Sequence, residues 1–174
     1  FKKLINAGLL IVNLSIDYPD AKEHDELRKL PGLFDRVTKQ IKECKDLKIP
    51  FKLNVRMVLS KYNYKKIGEM IKLASTLKAD MLSIDMIEAD SKNKLFLLNR
   101  NEISDFKENY VPNLVKQIKE LDIEEKLKRF NIHQLEDMFN TKFNDIENFE
   151  NGFYWPDDNI KKKCDIPSSF MIIE

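Results

Sequence analysis

The sequence predicts an α/β fold: a parallel βα-repeat sheet forming part of a TIM-like barrel, with a helical segment and the start of a C-terminal extension behind it. Three observations predict it. Strand patterns alternate with amphipathic helix patterns and return every roughly 30 to 40 residues, the spacing of crossover connections. Each strand pattern is aliphatic on one face and polar on the other. Composition, 43% hydrophobic and 34% charged over 174 residues, suits one domain with a core of ordinary size.

The first strand is "LLIVNLSID", residues 9–17, in which Leu10, Val12, Leu14 and Ile16 alternate with Asn13, Ser15 and Asp17. A loop is expected over 18–32. In "LFDRVTKQIKECKDL" the residues Phe34, Val37, Ile41 and Cys44 fall three or four apart and share one helical face, which makes Cys44 a core residue. The second strand, 50–59, sets Leu53, Val55, Met57 and Leu59 against Lys52, Asn54 and Arg56. Asn63 is the expected N-cap of a helix whose stripe is Tyr64, Ile67, Ile71, Ala74 and Leu77. The third strand, 80–88, sets Leu82, Ile84 and Met86 against Ser83 and Asp85.

Right-handed crossovers put both helices on the aliphatic side of the sheet. Parallel strands covered on both faces read as apolar throughout, so a polar second face needs another explanation. It is either the lumen of a barrel that holds a polar ligand or a face left in water. Helix-linked parallel sheets seldom leave a face bare, which favours the barrel. Ligand groups then belong near the C-terminal strand ends, where Ser15, Asp17, Arg56 and Asp85 sit.

Beyond residue 90 a helix is expected over 101–121, capped by Asn101 and kinked or broken at Pro112. The chain therefore divides into a barrel part at 1–121, a helical and linker segment at 122–160, and at 161–174 the start of an extension that opens with Cys164. It begins at Phe and stops at "SSFMIIE", within a strand-like run, and reads as a fragment of a longer protein.

Thirty basic residues against 29 acidic ones leave a net charge of +1, so no nucleic-acid partner is expected. Two cysteines make no disulfide framework and fit the cytoplasm. The basic-then-apolar opening mimics a signal peptide but lacks a small-residue cleavage site. No apolar run approaches the roughly 20 residues that cross a bilayer, so no membrane partner is expected. Four scattered glycines give no phosphate loop, and His24 and His133 with two cysteines give no zinc or triad spacing.

The ordered series "NLSID", "HDELRKLPGLFDRV" and "KLNVRMVLSKYNYKKIGEMIKLASTLKADMLSID", closing on "KKKCDIPSSFMII", resembles the second half of a radical S-adenosylmethionine domain. More narrowly, it is similar to the group with a SPASM or twitch extension, which includes peptide maturases, sulfatase-activating enzymes and the molybdopterin-precursor cyclase. The resemblance covers residues 1–88, and 161–174 more loosely. It implies a radical oxidoreductase or maturase that binds S-adenosylmethionine and generates a 5′-deoxyadenosyl radical. The 4Fe-4S cluster required is held in this family by a CxxxCxxC loop, which this chain lacks. Its ligands are expected upstream of residue 1, and the fragment alone is expected to be inactive.

Residue by residue, the resemblance implies that Ser15 contacts S-adenosylmethionine, with the alternative of a barrel-lining serine bonded to water. It gives Arg28 the methionyl carboxylate, which a guanidinium fork fits with two hydrogen bonds. Asn54 aligns with a polar residue near the nucleoside, with the alternative of a structural amide that links neighbouring strands. Cys164 resembles the first ligand of an auxiliary iron–sulfur cluster, and three preceding lysines favour its thiolate; a lone exposed thiol is the alternative. The partners implied are a small-molecule or peptide substrate and an electron donor such as flavodoxin or ferredoxin. The strand alternation, not a motif, nominates Asp17, Arg56, Ser83 and Asp85 for the lumen. Asp17 has the alternative of capping the following loop, Arg28 of pairing with Asp25 or Glu26, and Arg56 of a buried salt bridge with Asp85. His24 could be a general base, but organising its loop is the favoured role. No residue stands out as the catalytic acid or base. Two other readings compete: a non-catalytic barrel that binds a peptide or protein, and another βα-barrel enzyme acting on a phosphorylated small molecule.

Overall fold

A computed structural model describes Lys3, residues 7–86 and residues 94–120. The segment 122–160, His133, and the extension with Cys164 lie outside the described residues. The fold class is α/β. Strands β1 (Ile11–Ser15), β2 (Lys52–Leu59) and β3 (Met81–Met86) form a parallel sheet in that order, as expected of part of a βα barrel. Ser15 is in register with Arg56, and Arg56 with Ser83.

The strands are shorter than their apolar runs because pairing, not hydropathy, sets their ends. β2 is the central strand, and its alternation is the clearest: Leu53, Val55, Met57 and Leu59 are at most 1% exposed. These side chains pack in one cluster with Ile41 and Cys44 of α2 (Leu33–Asp46) and with Ile67, Met70, Ile71 and Ala74 of α3 (Ile67–Thr76). Burying side chains of this size contributes about 1.5–3 kcal/mol each, which is what fixes the register.

The loop expected over 18–32 contains a helix, α1 (Ala21–Arg28). Its single buried residue, His24, gives no apolar stripe to read. Its capping holds it instead. The Asp20 carboxylate accepts the Glu23 N–H at 3.0 Å, and Lys29 closes the C-terminus in the left-handed region at φ 53°. Asp25 then starts the next helix, accepting the N–H groups of Gly32 (2.6 Å) and Phe34 (2.9 Å). Gly32 sits at φ 77°, where a side chain would be strained.

Asn63 is not a helix cap. A short 3₁₀ turn, Tyr64–Lys66, precedes α3, and the Asn63 side chain turns back toward the strand ends. The expected helix over 101–121 begins earlier and is interrupted. Asn99, not Asn101, caps α4 (Arg100–Asp105) in a reciprocal capping box with Glu102. A π turn, Phe106–Tyr110, leads into α5 (Val111–Glu120), whose first N–H bonds back to the Phe106 carbonyl. The wider turn relieves the clash that Pro112 would impose on a regular α-helix, so the proline marks a π bulge. Tyr110 ties this unit to α3: its hydroxyl accepts the Gly68 N–H at 3.2 Å and donates to the Lys65 carbonyl at 2.9 Å. A Cβ on Gly68 would lie 3.2 Å from Leu114 Cδ1, so glycine permits this close approach. No described helix is long and apolar enough to cross a membrane.

Candidate functional site

The last backbone link between β1 and β2 is the Ile16 N–H donating to the Arg56 carbonyl at 2.8 Å. The next is made by a side chain. The Asp17 carboxylate accepts the Val58 N–H at 3.1 Å, and a carboxylate inserted between two backbones spreads the strand ends. Asn63 fills the rest of the gap. Its amide donates to the Asp17 carbonyl (3.0 Å) and the Val58 carbonyl (2.9 Å), while its oxygen accepts the Ser60 N–H at 2.7 Å and the Ser60 hydroxyl at 3.2 Å. A buried amide so fully bonded is a clamp.

Above this clamp lies a cleft of about 260 Å³. Leu27, Val58 and Phe96 give it apolar walls, and Asp17, Arg28 and Ser60 its polar ones. Tyr62 meets Phe96 edge-on at 5.9 Å between ring centres. Arg28 Nη2 lies 2.6 Å from Asp17 Oδ2; the arginine side chain is 38% exposed and the carboxylate 5%. Arg28 therefore pairs with Asp17, not with Asp25 or Glu26. Its remaining N–H groups have no hydrogen-bond partner among the described residues.

His24 supports this arrangement from below. Its Nδ1 accepts the Asp17 N–H at 3.3 Å, and its ring meets Phe34 edge-on at 5.9 Å. Burial pushes the imidazole below its ordinary pKa, which keeps it neutral, with the proton on Nε2. The "HDELR" motif thus divides its labour: His24 holds the Asp17 backbone, Asp25 starts α2, and Arg28 meets the Asp17 side chain.

The remaining sequence candidates lie on the polar face of the sheet. Asn54 bridges all three strands, donating to Asn13 at 3.0 Å and accepting the Ser83 hydroxyl at 3.0 Å. Ser15 is exposed there, with no hydrogen-bond partner among the described residues. Arg56 pairs with Asp85, Nη2 and Nε lying 2.7 and 3.0 Å from one carboxylate oxygen. That pair is not buried: the side chains are 47% and 40% exposed. Ser15, Asn54, Ser83, Arg56 and Asp85 therefore share a face, whereas Arg28 stands with Asp17 at its C-terminal end. Ser60, Asn63, Leu27 and Phe96 join the site although neither the strand alternation nor the resemblance nominates them. Only "SKYN" carried a signal, since Ser and Asn three apart after a strand favour a side-chain-bonded turn.

The donor set fits S-adenosylmethionine. An exposed guanidinium suits a carboxylate, hydroxyl and amide groups suit a ribose, and the apolar walls suit a thioether or a purine. It does not fit an iron–sulfur cluster. The one described cysteine, Cys44, is buried in the core, and among the described residues no three His, Cys, Asp or Glu side chains gather as a metal site.

No protein-family profile matches the chain. Over 78 residues it is 35% identical to the AdoMet-dependent heme synthase of Methanosarcina barkeri (strain Fusaro / DSM 804). The matched stretch is 45% of this chain and 22% of that protein, so the chain spans about a fifth of the length of the relative it matches.

Proposed function

We propose that this chain is the S-adenosylmethionine-binding part of a radical S-adenosylmethionine oxidoreductase or maturase. The observation that carries the reading is the cleft where β1 and β2 part, with the exposed Arg28 fork at the C-terminal end of a polar sheet face. The similarity to a protein named as AdoMet-dependent supports it, as does the ordered series of motifs. Arg28 would hold the methionyl carboxylate. Ser15, whose hydroxyl is unused, and Asn54, whose amide is oriented by Asn13 and Ser83, would meet the nucleoside. Leu27 and Phe96 would keep water off the bound molecule. When bound and reduced by a neighbouring cluster, S-adenosylmethionine supplies a 5′-deoxyadenosyl radical for hydrogen abstraction.

The cluster ligands belong to the proposal only as segments beyond the described residues, as does an auxiliary cluster at Cys164. A flavodoxin or ferredoxin would deliver the electron. The test is anaerobic reconstitution of the intact gene product with iron and sulfide. Binding of S-adenosylmethionine and, with dithionite, release of 5′-deoxyadenosine are expected. Arg28→Ala and Ser15→Ala should each weaken binding, by about tenfold or more for the arginine, which makes charge-assisted bonds. A reconstituted protein that binds no S-adenosylmethionine refutes the reading.

A further inference from the structure

Arg28 is the exposed half of an ion pair whose other half is buried, and that asymmetry has a use. Asp17 is fixed on every side: its carboxylate accepts the Val58 N–H, its N–H donates to His24 and its carbonyl accepts from Asn63. It cannot follow a moving arginine, so it sets where the arginine stands. An arginine at a cleft mouth samples many rotamers, and this one is held by a single ion-pair contact, Nη2 to Oδ2, at 2.6 Å. We infer that Asp17 is a positioning residue for ligand recognition: it occupies one edge of the Arg28 guanidinium and presents the other, already oriented, to a carboxylate on the ligand. This inference rests on the reading of the cleft as an S-adenosylmethionine site.

Two effects of Asp17 oppose each other. Its charge repels a second carboxylate at Arg28, while its fixed position removes the cost of ordering the fork. The guanidinium cation stands between the two carboxylates and attracts both, which offsets their mutual repulsion, so orientation prevails. The inference therefore has a sign: removing the Asp17 charge weakens the binding of a carboxylate ligand, although it removes a like charge.

Asp17→Asn tests it, because the amide oxygen can still accept the Val58 N–H while the amide nitrogen takes the place of Oδ2 and, as a donor, cannot hold the guanidinium. Binding of S-adenosylmethionine and of decarboxylated S-adenosylmethionine is measured by calorimetry on the reconstituted intact protein, wild type and variant. The expected result is a loss of about tenfold for S-adenosylmethionine and less than about twofold for the decarboxylated nucleoside. Equal loss for both ligands would give Asp17 a merely structural role, and unchanged or tighter binding of S-adenosylmethionine would show that Arg28 needs no partner. Either result overturns the inference. Wild-type protein that binds neither nucleoside refutes the site assignment itself, a separate failure. Should Asp17→Asn not fold, Asp17→Glu keeps the charge and displaces the guanidinium by one methylene, and the same selective loss is expected.

Discussion

The two ends of β2 are closed by the same device and differ in which partner is buried. At the N-terminal end the Asp80 carboxylate accepts the Leu53 N–H at 2.8 Å and pairs with Lys45 at 3.2 Å. At the C-terminal end Asp17 accepts the Val58 N–H and pairs with Arg28. Below, the cation is the covered member: Lys45 is 15% exposed and Asp80 45%. Its ammonium also reaches the Phe51 carbonyl at 3.3 Å and lies 4.5 Å from the centre of the Phe51 ring. Above, the acid is covered and the cation faces the cleft. A carboxylate that borrows a strand N–H serves closure at one end and presentation at the other. Which half of the pair meets water decides between them.

The largest effect expected is at the clamp that only the upper end possesses. Asn63→Ala removes a buried amide making four hydrogen-bond contacts, and should cost about 3 kcal/mol, since each buried group left unpaired costs about 1–3 kcal/mol. Asp17→Ala follows at about 2 kcal/mol, through the orphaned Val58 N–H and the unpaired Arg28. Asp80→Ala, at a site water can reach, should cost about 1 kcal/mol or less. Urea-unfolding midpoints of the three variants, at unchanged slope, check the order. A loss at Asp80 equal to that at Asp17 would erase the distinction between the ends.

This contrast also marks how far the sequence is legible. Strand and helix alternation was plain because β2 is central, and its period-2 burial is written into Leu53, Val55, Met57 and Leu59. α1 was not plain, because a short helix held by Asp20 and Lys29 carries no apolar stripe. Asn63 reads as a cap in sequence, since the same residue types favour caps and turns, and only three-dimensional proximity to Asp17 and Val58 decides between them. In the site, alternation placed Ser15, Asn54, Ser83, Arg56 and Asp85 on one face. It could not show that Arg28, eleven residues past Asp17, would return to pair with it, because an ion pair across a loop has no period. Phe96 entered the cleft from beyond β3 with no signal at all.

A smaller effect at the upper end depends on pH. Burial holds the His24 imidazole below its ordinary pKa, so between that lowered value and about 6.5 the unfolded chain binds a proton that the folded chain does not. Stability then rises with pH across this window. It is fully present above about 6.5 and is lost on acidification towards the folded value, by at most about 1.4 kcal/mol per pH unit. Protonation of Nδ1 also ends its acceptance of the Asp17 N–H. His24→Gln should flatten the slope below pH 6.5, read from unfolding midpoints at half-unit steps. A slope unchanged by the substitution would assign the acid sensitivity to other groups.

The smallest effect expected is on the sheet's polar face. The Arg56–Asp85 contact, at 2.7 Å, is nearly as short as the Arg28–Asp17 contact at 2.6 Å, yet its carboxylate is 40% exposed where Asp17 is 5% exposed. Screening and side-chain ordering leave such a surface pair at about 0.2–1 kcal/mol, so Asp85→Asn should shift the unfolding midpoint little, and 1 M salt should abolish what remains. A double-mutant cycle on each pair turns this into a measurement on the intact protein. The described residues leave the polar face open to water, and in that setting the Arg56–Asp85 coupling should fall well below that of Arg28–Asp17. A coupling as strong as the upper pair's, and resistant to salt, would require that face to be shut away from solvent, as the inner wall of a closed barrel is.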